Sequence, residues 1–324
     1  MGEHSSSVKI TPAELANSAA KYRKDFLMMP VHSMSETLAH MTTRFGIRYS
    51  ETVGQLDGDM EMGPYSETRI DKADVNITGR TLRTYLGSVV KDFSPNSVVG
   101  SIYDSAVTKG EALTKTEITK RVCAFLSAKV GEHLNDAIWN AVRKENGTKS
   151  ADLFDGFDTI ATKEIAEGNI SVEKKNLYEF ASKIDSTNAL DQIKGFCRAA
   201  SPKLRKQKNL KLYVSQDIYD AYVDDYQATV GPIIYNKSFD KVTVEGFPNI
   251  EFVVLANKTD SPYIQLAPAG NMLVGFNQRG EEEHIAIEKY KPFVVTFEAT
   301  MFMGCQYETI SSEKLLVGKL YVES

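Results

Sequence analysis

The sequence predicts an α+β fold built around a long beam, and three stretches carry that expectation. Residues 114–144, TKTEITKRVCAFLSAKVGEHLNDAIWNAVRK, set Ile118, Val122, Phe125, Leu126, Val130, Leu134, Ile138 and Val142 three or four residues apart, as one helix face requires. Residues 283–304, EHIAIEKYKPFVVTFEATMFMG, are dominated by apolar and β-branched side chains. From Phe293 the odd positions run Phe293, Val295, Phe297, Ala299, Met301 and Met303, the alternation of a strand. Residues 45–110 are rich in Gly, Thr, Ser and Tyr, with β-branched residues in short runs, and read as extended chain and hairpins. The helix would span ~45 Å at 1.5 Å per residue, and a strand of about twelve residues would reach ~40 Å, well beyond the usual length. A helix lying along a strand of similar span makes a beam.

The elements follow in chain order. In TPAELANSAAKYRKDFLMM, residues 11–29, Thr11 is a natural N-cap, Pro12 suits the first helical position and Glu14 the third. Leu15, Ala19, Tyr22 and Phe26 then share a face. A second short helix is expected over 33–43, after Pro30. The apolar residues of 45–110 are too scattered to form a core of their own, so this stretch must pack on the rest of the chain or on a neighbouring copy. Thr114 and Glu117 form a capping-box pattern for the long helix, and Asn146-Gly147 marks its expected stop. Residues 155–275 read as a compact α/β unit, with helices over 171–182, 188–199 and 215–229 and strands over 210–214, 241–245, 250–256 and 271–276. Turn signals at Gly231-Pro232, Gly246-Phe247-Pro248-Asn249, Ser261-Pro262 and Ala269-Gly270 separate them.

Composition narrows the function. The 324 residues carry a formal net charge of −5, and no segment has the basic excess of a dedicated nucleic-acid binder. Three cysteines, Cys123, Cys197 and Cys305, are odd in number and widely spaced, which fits a reducing compartment. The start lacks the apolar stretch of a signal peptide, so cytoplasmic synthesis is expected, and no apolar run is long enough to span a bilayer.

Catalytic patterns are hard to find. The five histidines, His4, His32, His40, His133 and His284, include no pair at the spacing of a helical metal site. DGDMEMG at 57–63 offers Asp57, Asp59 and Glu61 as in a calcium loop. Met62 stands where the sharp turn needs Gly, however, and Thr68 where the last ligand should be Glu. SSEK at 311–314 has the spacing of an acylating serine without the accompanying motifs. The basic run RAASPKLRKQKNLK, 198–211, reads as a solvated loop or a contact for phosphate or an acidic surface. Tyr219, Tyr222 and Tyr226 sit at helical spacing, which means packing. An enzyme reading would have to rest on scattered acids such as Asp217, Asp224 and Asp225, which fit the exposed face of a helix. No cofactor and no metal is expected.

In this order, an arm, an extended region, a long helix, a compact α/β unit and a long terminal strand resemble the major capsid proteins of tailed bacteriophages, which share the Hong Kong 97-type fold. SPYIQLAPAGNMLVGFNQRGEEEHIAIEKYKPFVVTFEATMFMGCQY, 261–307, is similar to the closing passage of that family: a proline turn, a strand ending in Gly-Phe, an acidic turn, then a long strand ending in Gly. FLSAKVGEHLNDAIWNA followed by DLFDGFDTI resembles the passage from the spine helix into the axial domain. The resemblance implies an N-terminal arm over 1–50, an E-loop region over 51–110, a peripheral-domain spine helix over 111–155, an axial domain over 156–278 and peripheral-domain strands over 279–324.

It also implies a structural, non-enzymatic role: assembly with itself into pentamers and hexamers of an icosahedral head enclosing double-stranded DNA. Scaffolding, portal and decoration proteins would be further partners, the DNA contacts would be weak and without sequence specificity, and no membrane is involved. The site would be the virion, assembled in a bacterial cytoplasm. Phe45, Ile47 and Tyr49 in the arm, with Leu82, Tyr85, Leu86 and Phe93 in the extended region, are the expected inter-subunit contacts, intramolecular packing being the other possibility. Lys72 and Lys91 are candidates for the covalent Lys–Asn crosslink that some relatives form, with no motif to select either. An encapsulin-like nanocompartment shell, or another structural component of a phage particle, is the alternative within the same resemblance.

Overall fold

A computed structural model describes residues 34–57, 76–93, 115–230, 243–277, 285–291 and 294–322. The helix expected over 11–29, the acidic loop at 57–63 beyond Asp57, Lys72 and the cap at Thr114 lie outside them. The short helix expected over 33–43 is the single turn α1 (Ser35–Leu38). Four strands follow: β1 (Thr42–Phe45), β2 (Ser50–Asp57), β3 (Asn76–Arg83) and β4 (Tyr85–Phe93), the last two separated by Thr84 alone. The long helix α2 runs Lys115–Asn140.

The helix ends at Asn140, earlier than the expected residue 144, because tertiary hydrogen bonds take over its backbone. The Val142 and Lys144 N–H groups donate to the Ala151 and Asp152 carbonyls, and the Gly156 N–H reaches the Ala141 carbonyl. Asn146-Gly147 supplies a turn, closed by the Gly147 N–H on the Lys144 carbonyl, rather than a helix stop.

Beyond it come α3 (Phe157–Ala166), β5 (Leu177–Glu179), α4 (Ala189–Ala199), α5 (Pro202–Arg205), β6 (Leu210–Ser215) and α6 (Gln216–Val230). Strands β7 (Thr243–Val244), β8 (Phe247–Leu255), β9 (Tyr263–Pro268), β10 (Met272–Asn277), β11 (Ile285–Lys291), β12 (Val294–Tyr307) and β13 (Leu316–Lys319) complete the chain. The helix expected over 171–182 is absent. Lys175 takes a left-handed φ of 56°, Asn176 Nδ2 donates to the carbonyls of Asn169 and Ile310, and β5 pairs in parallel with β13. Pairing across more than a hundred residues outweighs local helix preference there.

Two large sheets organise these pieces. In the six-stranded sheet the order is β5-β13-β9-β6-β8-β7, with β6 parallel to β8. In the five-stranded sheet β12 is the hub. Residues 295–303 of β12 pair with β4 along one edge, while 294–299 and 302–307 pair with β11 and β10. Strand β1 adds in parallel to β10. Strands β2 and β3 form a separate two-stranded hairpin.

Sheet membership cuts across the sequence-based boundaries: β10, within 156–278, belongs to the five-stranded sheet, and β13, within 279–324, to the six-stranded one. One hydrophobic cluster joins the C-terminal half of α2 (Leu134, Ile138, Trp139) to Phe157, Tyr213, Met303 and Tyr307. A second packs Ile193, Phe196, Tyr222 and Tyr226 of α4 and α6 onto the six-stranded sheet. At fourteen residues, β12 exceeds the twelve anticipated.

Candidate functional site on the long sheet

The five-stranded sheet carries a flat window. Gly275 of β10 and Gly304 of β12 are register partners, and the chain passing from β3 to β4 crosses over them. A Cβ on Gly304 would sit 1.9 Å from the Arg83 carbonyl oxygen, and one on Gly275 would meet Thr84 Cγ2 at 2.9 Å. Only hydrogen side chains let two backbones approach this closely. Thr84 is pinned over the window: its N–H donates to the Tyr49 carbonyl at 2.9 Å and its Oγ1 to the Ile47 carbonyl at 3.2 Å. Beside it the Arg80 guanidinium donates to Glu164 Oε1 at 2.5 Å and to Gln306 Oε1 at 3.0 Å. That ties the β2–β3 hairpin to α3 and to β12.

This crossing decides where the expected contact residues go. Ile47 and Leu82 are buried with Val53 and Leu273 in a small cluster, so these two side chains pack on this chain. Val53 and Leu82 of the extended region share that cluster with Leu273 of β10. Tyr85 is half-buried beneath the Arg143 guanidinium, 4.4 Å from its ring centroid. Phe45 is 52 % exposed, Tyr49 56 % and Leu86 44 %, and Val90, which sequence reading passed over, is 63 % exposed. Phe45 still stacks on Phe276 and Tyr49 meets the edge of Phe302, so each is anchored on one face and open on the other. Phe93 pairs with Val295 through the backbone; Lys91 is exposed on the same strand.

A cleft of about 400 Å³ lies alongside, between Leu86–Val89 of β4, Ser127–Leu134 of α2, Ala299–Met301 of β12 and the loop 143–153. Leu134 and Ile138 of the helix share a buried cluster with Met303 of the long strand, and Ser127–Leu134 face Ala299–Met301 across this cleft.

No protein-family model matches the chain, and no curated protein matches it. Solved structures do. The satellite phage P4 procapsid superposes over 89 % of this chain and 97 % of that one, at a TM-score of 0.55 and 11 % identity. The capsid of the native GTA particle covers 89 % and 91 %, at 0.58 and 12 %. The capsid of Myoviridae phage XM1 covers 89 % and 92 %, at 0.54 and 8 %. The chain has the Hong Kong 97-type capsid fold. The likeness spans 89 % of this chain and more than 90 % of each of the others.

Within this capsid fold the junction of α2, α3 and the six-stranded sheet holds a buried charged pair that sequence reading missed. Lys258 Nζ lies 3.2 Å from Asp158 Oδ1, donates to Ser261 Oγ at 2.8 Å, and sits 3.8 Å from the centroid of the Trp139 ring. Gln265 Nε2 donates to the same Asp158 oxygen at 2.6 Å. Both charged side chains are almost fully enclosed, and burial brings Lys258 down to about 8 against the opposing pull of Asp158. Trp139 Nε1 donates to Asn257 Oδ1, and Asn257 Nδ2 to the Asn135 carbonyl. The turn at 256–258 is thereby clamped to the last turns of α2.

The residues weighed for chemistry are placed as follows. Asp225 is buried and accepts the Leu190 N–H at 2.7 Å at the start of α4, a capping role; Asp217 and Asp224 are exposed on α6. Tyr222 and Tyr226 are buried, and Tyr219 packs edge-on against Phe252. His133 is exposed and His40 half-buried. Cys197 and Cys305 are buried free thiols, and burial pushes Cys197 up to about 12 and Cys305 further. Among the described residues no group of three His, Cys, Asp or Glu side chains converges to hold a metal ion, and no helix is long and apolar enough to cross a membrane.

Proposed function

We propose that this chain is a major capsid protein: copies of it assemble into the icosahedral head of a tailed phage around double-stranded DNA. The observation that carries the reading is the likeness in fold to phage capsids and a procapsid over 89 % of the chain. In this reading the parts are an N-terminal arm over 1–50, an E-loop over 51–110, a spine helix and peripheral domain over 111–155 and 279–324, and an axial domain over 156–278. The sheet membership of β10 and β13 is exchanged relative to those bounds. Its role is structural rather than enzymatic, and its site is the virion, built in a bacterial cytoplasm. Scaffolding, portal and decoration proteins are its further partners. The net charge of −5 restricts contact with packaged DNA to weak, non-specific encounters.

Phe45, Tyr49, Leu86 and Val90 are the apolar groups this reading assigns to contacts between subunits. Each gains by being covered, at about 25 cal/mol per Å² of apolar surface, and many such contacts add through multivalency. The test is light scattering and negative-stain imaging of the purified chain under assembly conditions. Closed shells of megadalton mass are expected; a stable monomer throughout would overturn the reading. Leu86→Ser with Val90→Ser should leave the isolated fold within about 0.5 kcal/mol of wild type, as surface changes do, while cutting the yield of particles.

A further inference from the structure

Strands β6 and β8 run parallel, Leu210 opposite Ile250 and Ser215 opposite Leu255, and their two ends carry opposite charge. At the starting end lies the basic run. Asn249 Nδ2 donates to the Arg205 and Gln207 carbonyls at 2.8 and 2.9 Å, fixing that loop beside the first residues of β8. Arg198, Lys206 and Lys208 are exposed there. Lys203 takes Glu313 as an ion-pair partner; no carboxylate among the described residues pairs with the other three.

At the finishing end the chain leaves β8 through the turn Ala256–Lys258 and meets the last turn of α2. A pocket of about 200 Å³ opens there, walled by Asp136, Trp139, Asn140, Asp158 and Asp260, among others. Lys258 balances Asp158, so the sign of the pocket is set by Asp136 and Asp260, both exposed and without a cationic partner among the described residues. The C-terminal end of α2 adds its negative dipole end. One further feature points to a bound donor: Asp158 is 3 % exposed, and its Oδ2 has no hydrogen-bond partner among the described residues.

We propose that this pocket receives the basic loop of a second copy of the chain, with Lys206 or Lys208 as the inserted side chain. The inference rests on the shell-forming reading above. Charge complementarity selects this occupant: one chain carries an unpaired cationic loop at one pole of a strand pair and an unpaired anionic pocket at the other. A contact between two different patches of identical subunits is head-to-tail, the kind that closes into rings when the rotation allows. Opposed charges of this sort set orientation and encounter rate more than final affinity.

Charge exchange tests it. Asp136→Lys with Asp260→Lys, and separately Lys206→Glu with Lys208→Glu, should each raise the protein concentration needed for half-maximal assembly by roughly tenfold or more. The quadruple variant, its poles exchanged, should assemble better than either pair variant but short of wild type, because Asp158 and the C-terminal end of α2 still disfavour an inserted carboxylate. Circular dichroism and melting of the unassembled chains should be unchanged, since all four side chains are exposed. If wild type forms shells and either pair variant assembles equally well, or if the quadruple variant assembles no better than the pair variants, this contact is wrong and the shell reading stands. If wild type forms no shell, both fall.

Discussion

Lys258 is the residue on which stability arguments converge. A buried pair costs desolvation of both charges, and its attraction repays this only where hydrogen bonds are complete. Here they are incomplete, because Asp158 Oδ2 and Gln265 Oε1 are both without partners among the described residues. Asp158→Ala, which strands the ammonium, is expected to cost about 3–5 kcal/mol, whereas Asp158→Leu with Lys258→Met should be close to neutral. Urea unfolding of unassembled subunits separates the two outcomes.

The pair also fixes a pH response. Lys258 titrates near 8 in the fold against an ordinary value of 10.5, so the folded state gives up this proton first. Between those values the unfolded chain binds more protons, and stability rises with pH. Cys197 and Cys305 act in the opposite sense: raised from 9.0 in the fold, they favour the unfolded chain as it ionises above pH 9. Tyr213 and Tyr307, raised from 10.0, add to that loss at higher pH. Stability is expected to climb modestly from pH 8 to 9 and fall beyond, a profile that denaturant melts can trace. None of this was legible in the sequence. Lys258 stands in LANKTDSPY, whose polar residues read as an exposed turn, and only the fold brings Asp158 and Trp139 over it.

At the scale of elements, periodicity was readable wherever burial is one-sided or continuous. The long helix, α4, α6, β6, β8, β10 and β12 all announce themselves. The helix over 171–182 was misread because Asn176 and β5 answer to β13, far along the chain. Helix α3 was missed because DLFDGFDTI looked like connection rather than element. The glycines that close the sheet were seen as strand ends, yet Gly304 lies inside β12, where its missing side chain admits the Arg83–Thr84 crossing. Gly304→Ala should therefore lift the β3–β4 passage off the sheet and cost more than about 3 kcal/mol, the range of severe overpacking. Phe302→Ala, which removes a fully buried ring of β12 beneath Tyr49, should cost about 3–5 kcal/mol through the cavity it leaves. Calorimetry on each variant decides both.

For the whole molecule, the order of elements was legible and the sharing between sheets was not. Alternation shows that β12 is a strand, but nothing local tells which strands line its edges, nor that β13 leaves the long sheet for the other one. Of the seven apolar residues expected at contacts, the crossing over Gly275 and Gly304 turned Ile47 and Leu82 inward and left Phe45, Tyr49 and Leu86 facing out. Those positions were distinguishable only after folding. β4 and β12 run antiparallel through nine consecutive register pairs, from Val295–Phe93 to Met303–Tyr85. A tug directed along these strands strains every rung of that ladder simultaneously, whereas a sideways tug would open them one by one. If the interior of a filled container pushes its wall into tension along this direction, the wall resists in its stiffest mode, and rupture should begin at the joints between neighbours before the strands themselves slide.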